Sequence, residues 1–450
     1  MAKNMEFKLE KPDIKGIAPG EVFKFLQDEG VQNIIGKSFF PEYLYWDKIK
    51  YKELSDEYKP EIAWAAIKFL RKNAVHRQES IILSEKGIKF SWLDSLPWFN
   101  EFFHEIDMNL GGALLGLARD LDEREKRQFI TRGVMEEAIA SSQLEGANTT
   151  RRVAKQMLRE GRKPRNKSEQ MIANNYQAMV FVEKELKSSK LSLDVIKDLH
   201  VMLTKKTLDS EKDEGRLRND KDEIVVQNAI DGMIYHTAPR EEFMRKELER
   251  LVAYANDDLK DGGFVHPVFK AIFLHFWMGY LHPFVDGNGR LARALFYWYL
   301  LKNNYWGFAY LPLSKVIKNS TIQYGMAYIY TEQDDNDLTY FLDYIARKIK
   351  QSIKEFREYE QEAQRGNAKM VKEARTKYHL NDRQIRLLQF YQKNKDEGMS
   401  VPAHMNVNEI SRATAITDLK TLEQKGFLFK KKIGRKVYYY ATDNIEKLFS

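Results

Sequence analysis

The sequence predicts a mainly α protein, in which a helical core carries one small β-hairpin and a separate helix-and-hairpin unit follows at the C-terminus. Three observations carry this prediction. Helical spacing runs almost unbroken over residues 120–206, with breaks near Gly146, at 161–164 and at 188–192. Phe269, Ile272, Phe273, Phe276, Trp277 and Tyr280 then form an apolar stripe at helical spacing that ends against Leu281-His282-Pro283, as expected of a buried helix. Between these segments, Ile224-Val225-Val226-Gln227 and Met233-Ile234-Tyr235-His236 are short β-prone runs around a Gly- and Asn-containing turn.

Composition bounds the alternatives. The 450 residues hold 73 basic and 65 acidic side chains, a net charge of +8, and 43% hydrophobic residues. That apolar content excludes wholesale disorder and collagen-like fibres and suits two to four domains. Cysteine is absent, which excludes disulfides, thiolate catalysis and sulfur-ligated zinc. The N-terminal residues lack a signal-peptide core, and the longest apolar stretch, 271–281, is interrupted by His275. A cytoplasmic protein without a membrane segment is the expectation.

Residues 1–119 read as a helical region of short helices, as at 61–70, with no visible chemistry. Residues 120–350 read as the core, and 351–380 as a charged linker, helical or flexible, because 362–377 is rich in Glu, Lys and Arg. In residues 381–450, Asn381-Asp382 would cap a helix through Tyr391, 407–413 would open a second and 416–424 would form a third. A hairpin around Ile433-Gly434-Arg435 follows, so a winged helix-turn-helix is expected there.

The chemistry concentrates in His282-Pro283-Phe284-Val285-Asp286-Gly287-Asn288-Gly289-Arg290-Leu291-Ala292-Arg293. Glycines free the backbone so that amide groups can turn toward one point, and the helix beginning just beyond them adds its N-terminal dipole, which together make an anion site. Arg290 and Arg293 are neighbours on one helix face, where guanidinium groups can clamp phosphate oxygens. His282 can act as a general base, and Asp286 offers the hard oxygen that magnesium prefers beside phosphates. A lone His-Pro usually ends a helix and a lone Gly-x-Gly is usually a turn; the combination is what points to phosphate chemistry.

This segment resembles the signature of the Fic family, His-Pro-Phe-x-Asp/Glu-Gly-Asn-Gly-Arg-x-x-Arg, at every specified position. Upstream, Gly215-Arg216-Leu217-Arg218 resembles the family's Gly-x-aromatic-Arg opening, with Leu217 in place of the aromatic, and the resemblance spans roughly residues 132–350. It implies a helical core that binds ATP with magnesium (Mg2+) and transfers AMP to a hydroxyl side chain of a target protein. By position, His282 would be the general base and Asp286 the metal ligand. Gly287, Asn288, Gly289, Arg290 and Arg293 would hold the nucleotide, with Arg293 on the γ-phosphate. The hairpin with Ile224, Val225, Val226 and Tyr235 would be the flap that takes the target segment as an added strand.

Ser141-Ser142-Gln143-Leu144-Glu145-Gly146 resembles the family's inhibitory motif, Ser/Thr-x-x-x-Glu-Gly/Asn. Ser141 and Glu145 are four residues apart on one helix face, and Gly146 would end that helix. Its position ahead of the core implies a brake built into the same chain, with Glu145 on Arg293. Residues 381–450 carry 13 basic and 8 acidic side chains, and Lys430-Lys431-Lys432 with Arg435-Lys436 would place cations on the wing. DNA or a protein partner both suit such a unit, and a homodimer stays open. Three functions compete at this point: a self-inhibited protein adenylyltransferase, a DNA-binding regulator whose core senses nucleotide, and an enzyme that removes AMP from modified proteins.

Overall fold

The structure, a computed structural model, describes residues 5–54, 57–111, 123–227, 232–259, 263–394, 396–434, 436–445 and 448. The chain opens with helices α1 (Pro19–Gln27), α2 (Gln32–Lys37), α3 (Trp46–Ile49) and α4 (Pro60–Lys72). Pro19 and Pro60 stand in the first turns of α1 and α4, where the missing N–H has no partner to lose. Strands β1 (Arg77–Leu83) and β2 (Lys89–Leu93) then pair antiparallel, before α5 (Phe99–Asn109). This hairpin is an addition to the mostly helical expectation for residues 1–119. Its cause is a period-two pattern: Phe90 and Trp92 are buried while Lys89 and Ser91 turn outward, and Gly87 takes a left-handed turn.

The middle of the chain forms α6 (Glu123–Leu144), α7 (Arg151–Glu160), α8 (Lys167–Lys184), α9 (Leu193–Thr204), β3 (Val225–Gln227), β4 (Ile234–Thr237), α10 (Glu241–Ala255), α11 (Pro267–Leu281), α12 (Asn288–Lys302), α13 (Leu313–Lys318) and α14 (Thr321–Gln333). Helix α11 is buried on all sides except at Pro267 and Gly279, which explains why its sequence is apolar nearly all round. Phe273 and Phe276 of α11 meet Trp92 and Phe90 edge-on, so the N-terminal hairpin and α11 share one apolar core. None of the described helices is long and apolar enough to cross a membrane.

Helix α15 runs without a break over Thr339–Thr376, and no backbone feature marks residue 350 as a boundary. Beyond it lie α16 (Asp382–Lys393), β5 (Met399–Ser400), α17 (Val401–Asn408), α18 (Arg412–Gln424), β6 (Leu428–Ile433) and β7 (Lys436–Ala441), with sheet order β5-β7-β6. Two helices sit earlier than the apolar pattern suggested. Ser400 caps α17 through the Ala403 N–H, Glu409 ends it with φ +50°, and Ser411 caps α18 through the Thr414 N–H. Caps set these ends because they satisfy amide groups that apolar spacing leaves open.

The C-terminal elements have their own apolar core, built from Leu388, Tyr391, Leu419, Leu422 and Phe427, to which the end of α15 adds Met370 and Ala374. This unit docks on α7. Arg159 Nη1 lies 2.7 Å from Glu397 Oε2, its backbone carbonyl accepts from Asn406 Nδ2 at 2.8 Å, and Lys436 Nζ lies 2.7 Å from Glu160.

Candidate active site

The segment 282–287 joins the two most buried helices. His282 caps the end of α11 at φ +44°, and Gly287 begins α12 at φ +88°. A Cβ on Gly287 would lie 2.6 Å from Thr204 Cγ2, so both space and backbone demand glycine there. Asn288 ties the turn together: its Oδ1 accepts from the Phe284 N–H at 3.0 Å and its Nδ2 donates to the Phe284 carbonyl at 2.8 Å. Its side chain is thereby anchored to the loop through one donor and one acceptor.

His200 of α9 supports the same loop, and sequence reasoning missed it. Its ring stacks flat on Phe284 at 3.8 Å, its Nδ1 accepts from the Gly215 N–H at 3.0 Å, and its Nε2 lies 2.7 Å from the Asp286 carbonyl. Since Nδ1 is an acceptor, the proton sits on Nε2 and goes to Asp286 O. Burial, together with Arg290, pushes its pKa down to about 4 and keeps the ring neutral. Arg218 was also unassigned. Its Nε donates to the His282 carbonyl at 2.7 Å and its Nη2 to the Leu281 carbonyl at 3.1 Å, which fixes the end of α11.

His282 itself is buried, with Nδ1 2.7 Å from the Gly279 carbonyl. That carbonyl only accepts, so Nδ1 carries the proton and Nε2 keeps its lone pair. Burial, reinforced by the charge of His236, lowers its pKa to about 4, so the ring is neutral near pH 7.

Arg290 is buried and donates from Nη1 to the Leu203 carbonyl at 2.9 Å, while its Nε and Nη2 have no hydrogen-bond partner among the described residues. Arg293, by contrast, is held through Nε and Nη2 by the end of α6. Its Nε donates to Ser141 Oγ at 2.8 Å, and its Nη2 donates to Glu145 Oε1 at 2.7 Å and to the Ser141 carbonyl at 3.1 Å. Burial disfavours the Glu145 anion, but Arg293 and Arg290 outweigh it and hold the carboxyl below its ordinary range. A Cβ on Gly289 would lie 2.2 Å from Glu145 Oε1, so this carboxylate sits against the open first turn of α12. Gly146 follows at φ +92° and lets the chain turn away.

The hairpin pairs Val225 with Thr237 and Val226 with His236; Ile224 lies just before β3 and its carbonyl accepts from the Ala238 N–H at 3.1 Å. Residues 228–231 of the expected turn lie outside the described residues. The chain's own N-terminal segment adds to the other edge of β4. Phe7 N–H donates to Ile234 O at 2.8 Å, Ile234 N–H to Met5 O at 3.0 Å, and the Phe7 and Tyr235 rings meet edge-on.

Residues 190–300 match the family model described as the Fic/DOC family. Residues 190–300 are thus similar to a Fic/DOC domain. A 62-residue stretch is 40% identical to the protein adenylyltransferase Fic of Nematostella vectensis, covering 13% of this chain and 14% of that relative's length. Among solved structures, a Fic family protein from Desulfovibrio desulfuricans is 18% identical with a TM-score of 0.47, covering 77% of this chain and 97% of its own. Fic-1 of C. elegans, residues 134–508, is also 18% identical at a TM-score of 0.47, covering 59% and 73%.

The donor set around the Fic/DOC segment fits a nucleotide phosphate. Buried Nε and Nη2 of Arg290 have no hydrogen-bond partner among the described residues, although Nη2 lies 3.7 Å from Asp286 Oδ2, and α12 begins at Gly287 with no side-chain cap. Asp286 is the residue that would hold a magnesium ion together with phosphate and water: its carboxylate is 56% exposed, accepts from the Gly287 N–H at 2.5 Å and lies 3.7 Å from Arg290 Nη2, and no group of three or more His, Asp or Glu that could hold a metal occurs among the described residues. In the C-terminal unit, Lys430 pairs with Glu423 and Lys436 with Glu160, and Arg435 lies outside the described residues.

Proposed function

We propose that this chain is a self-inhibited protein adenylyltransferase that moves AMP from ATP to a Tyr, Ser or Thr hydroxyl of a target protein. The observation that carries the reading is the His282 ring, neutral and buried, with one nitrogen committed to Gly279 O and the other free. In this reading Nε2 accepts the proton of the target hydroxyl as that oxygen attacks the α-phosphorus. The bond from the α-phosphorus to the bridging oxygen breaks, and pyrophosphate leaves with the electron pair. The N–H groups of Arg290 that have no hydrogen-bond partner among the described residues, with Nη2 3.7 Å from Asp286 Oδ2, and the amide groups at the start of α12 hold the phosphates, so the protein contributes mainly position and charge. Magnesium on Asp286 would offset phosphate charge. The flap hairpin would align the target segment.

Glu145 supports the self-inhibited part of the reading, because it occupies the guanidinium of Arg293 that the γ-phosphate would engage. Two of the wing cations are already paired inside the chain, which favours a protein-recruiting role for the C-terminal unit, read as a winged helix, over DNA contact.

The test is incubation of the Glu145→Gly chain with target-containing lysate, magnesium and ATP labelled at the α-position. Label should enter protein, and His282→Ala in the same background should lower it by about 10²- to 10⁴-fold. Label that enters from the γ-position instead, or undiminished transfer by the His282→Ala chain, overturns the proposal.

A further inference from the structure

His236 in β4 has its side chain 9% exposed, with Nδ1 2.8 Å from Glu332 Oε2 of α14 and Nε2 2.8 Å from the Tyr280 carbonyl of α11. A carbonyl only accepts, and so does an ionised carboxylate. A neutral imidazole has one N–H and one lone pair, so it would set the lone pair against one of these oxygens. Both contacts are made together by the imidazolium, which donates from both nitrogens.

The end of α11 shows why that cation belongs there. The carbonyls of Gly279, Tyr280, Leu281 and His282 leave the helix in turn, and each meets a side-chain partner: His282 Nδ1, His236 Nε2, Arg218 Nη2 and Arg218 Nε. Two of the three groups are cations, as the negative end of a helix favours. Tyr280 O therefore couples the flap strand to the turn of helix that presents His282.

We propose that His236 is a positioning residue for transfer: as an imidazolium between Glu332 and Tyr280 O, it fixes β4 against the end of α11 and thereby sets the place of His282. The inference rests on the adenylyltransferase reading above. The His236 ring centroid lies 6.1 Å from that of His282, close enough for its charge to disfavour a second proton on the base. The charged and titratable groups facing His236 are Glu332 from α14, Tyr280 and His282 from α11 and Arg218 from the segment after α9, while Glu6 arrives on the N-terminal strand through its bridge to Ile234. Burial disfavours the His236 cation, but Glu332 outweighs it and raises the pKa above the ordinary histidine value.

Two measurements on the full-length chain test this. Nitrogen-15 spectra of histidine-labelled protein at pH 7 should show both ring nitrogens of His236 protonated and His282 neutral. In the Glu145→Gly background, His236→Gln should lower the transfer rate by about 10- to 100-fold, with the KM for ATP little changed. That background should lose rate at high pH as His236 sheds its proton, and the His236→Gln chain should lack this limb. Glu332→Gln breaks the same bridge from α14 and serves if His236→Gln fails to fold. A neutral His236 at pH 7 overturns the proposal, and so does full transfer with an unchanged pH profile in whichever variant folds. If the Glu145→Gly chain itself labels nothing, the adenylyltransferase reading fails and the role in transfer with it, whereas the spectra still decide the proton on His236.

Discussion

Replacing Glu145 by Gly removes the carboxylate that Arg293 Nη2 contacts at 2.7 Å, in a pair whose arginine side chain is 3% exposed and whose glutamate side chain is 25% exposed. A surface bridge would be worth about 0–1 kcal/mol, but a charge-assisted hydrogen bond at this burial is worth about 1.5–3 kcal/mol. A γ-phosphate that must displace Glu145 meets that amount as an added barrier, equivalent to about 10- to 150-fold in rate. Glu145→Gly should therefore raise transfer within that range, read as initial rates with labelled ATP at saturating magnesium. Arg293 keeps its bonds to Ser141, at 2.8 Å to Oγ and 3.1 Å to the carbonyl, so the fold should persist and thermal unfolding serves as the control. Arg293→Ala should lower transfer, and the double variant should stay as slow as Arg293→Ala. A double variant as fast as Glu145→Gly refutes the reasoning, because it would mean that Glu145 acts without Arg293.

Three further outcomes are expected. His282 accepts a proton only when neutral and its pKa lies at about 4, so on the acid side transfer should fall only as pH drops toward that value; an acid-side loss centred near the ordinary histidine pKa of about 6.5 would contradict the burial argument. His200→Phe keeps a ring on Phe284 but drops the bonds to Gly215 and Asp286, so magnesium and ATP affinity should weaken while the pH profile keeps its shape, measured as KM against kcat. Asp418→Ala leaves Arg383, Asn381 and His404 without their shared buried carboxylate and should destabilise the C-terminal unit by about 3 kcal/mol, seen as faster amide exchange over 396–434 with exchange near His282 unchanged.

Local pattern made part of the site legible. Residues 282–293 are contiguous, and a cap, glycines and i, i+3 arginines act within two helical turns, so their chemistry can be read without a fold. Ser141 and Glu145 were likewise placed on one face by helical spacing, and the structure brings both to Arg293. Asn288 shows the limit of such reading. Its position in the motif points to a nucleotide contact, and what that position does not show is that its side chain also holds Phe284 from both sides. The roles of His200 and His236 carry no sequence signal, and Arg218 stands out only as the last residue of the Gly-x-aromatic-Arg resemblance, because their partners are mostly backbone carbonyls and amides, which every residue has. The hairpin β1–β2 was hidden for a different reason: its period-two stretch is short and sits among strong helix patterns.

The sequence by itself determined a mainly α chain, the apolar character of α11, the glycine-flanked start of α12 and the presence of a carboxylate at the end of α6. These follow from spacing within a few turns, where side-chain direction is set by the helix. Only the tertiary structure decided that the N-terminal segment pairs with β4 and that Glu332 and Tyr280 O converge on His236, and it brings Glu145, as the resemblance implied, to Arg293 across 148 residues. Those contacts depend on how buried helices pack. Where a charge ends up in that packing then decides its pKa, because burial and the nearest opposite charge, not residue type, set the protonation state.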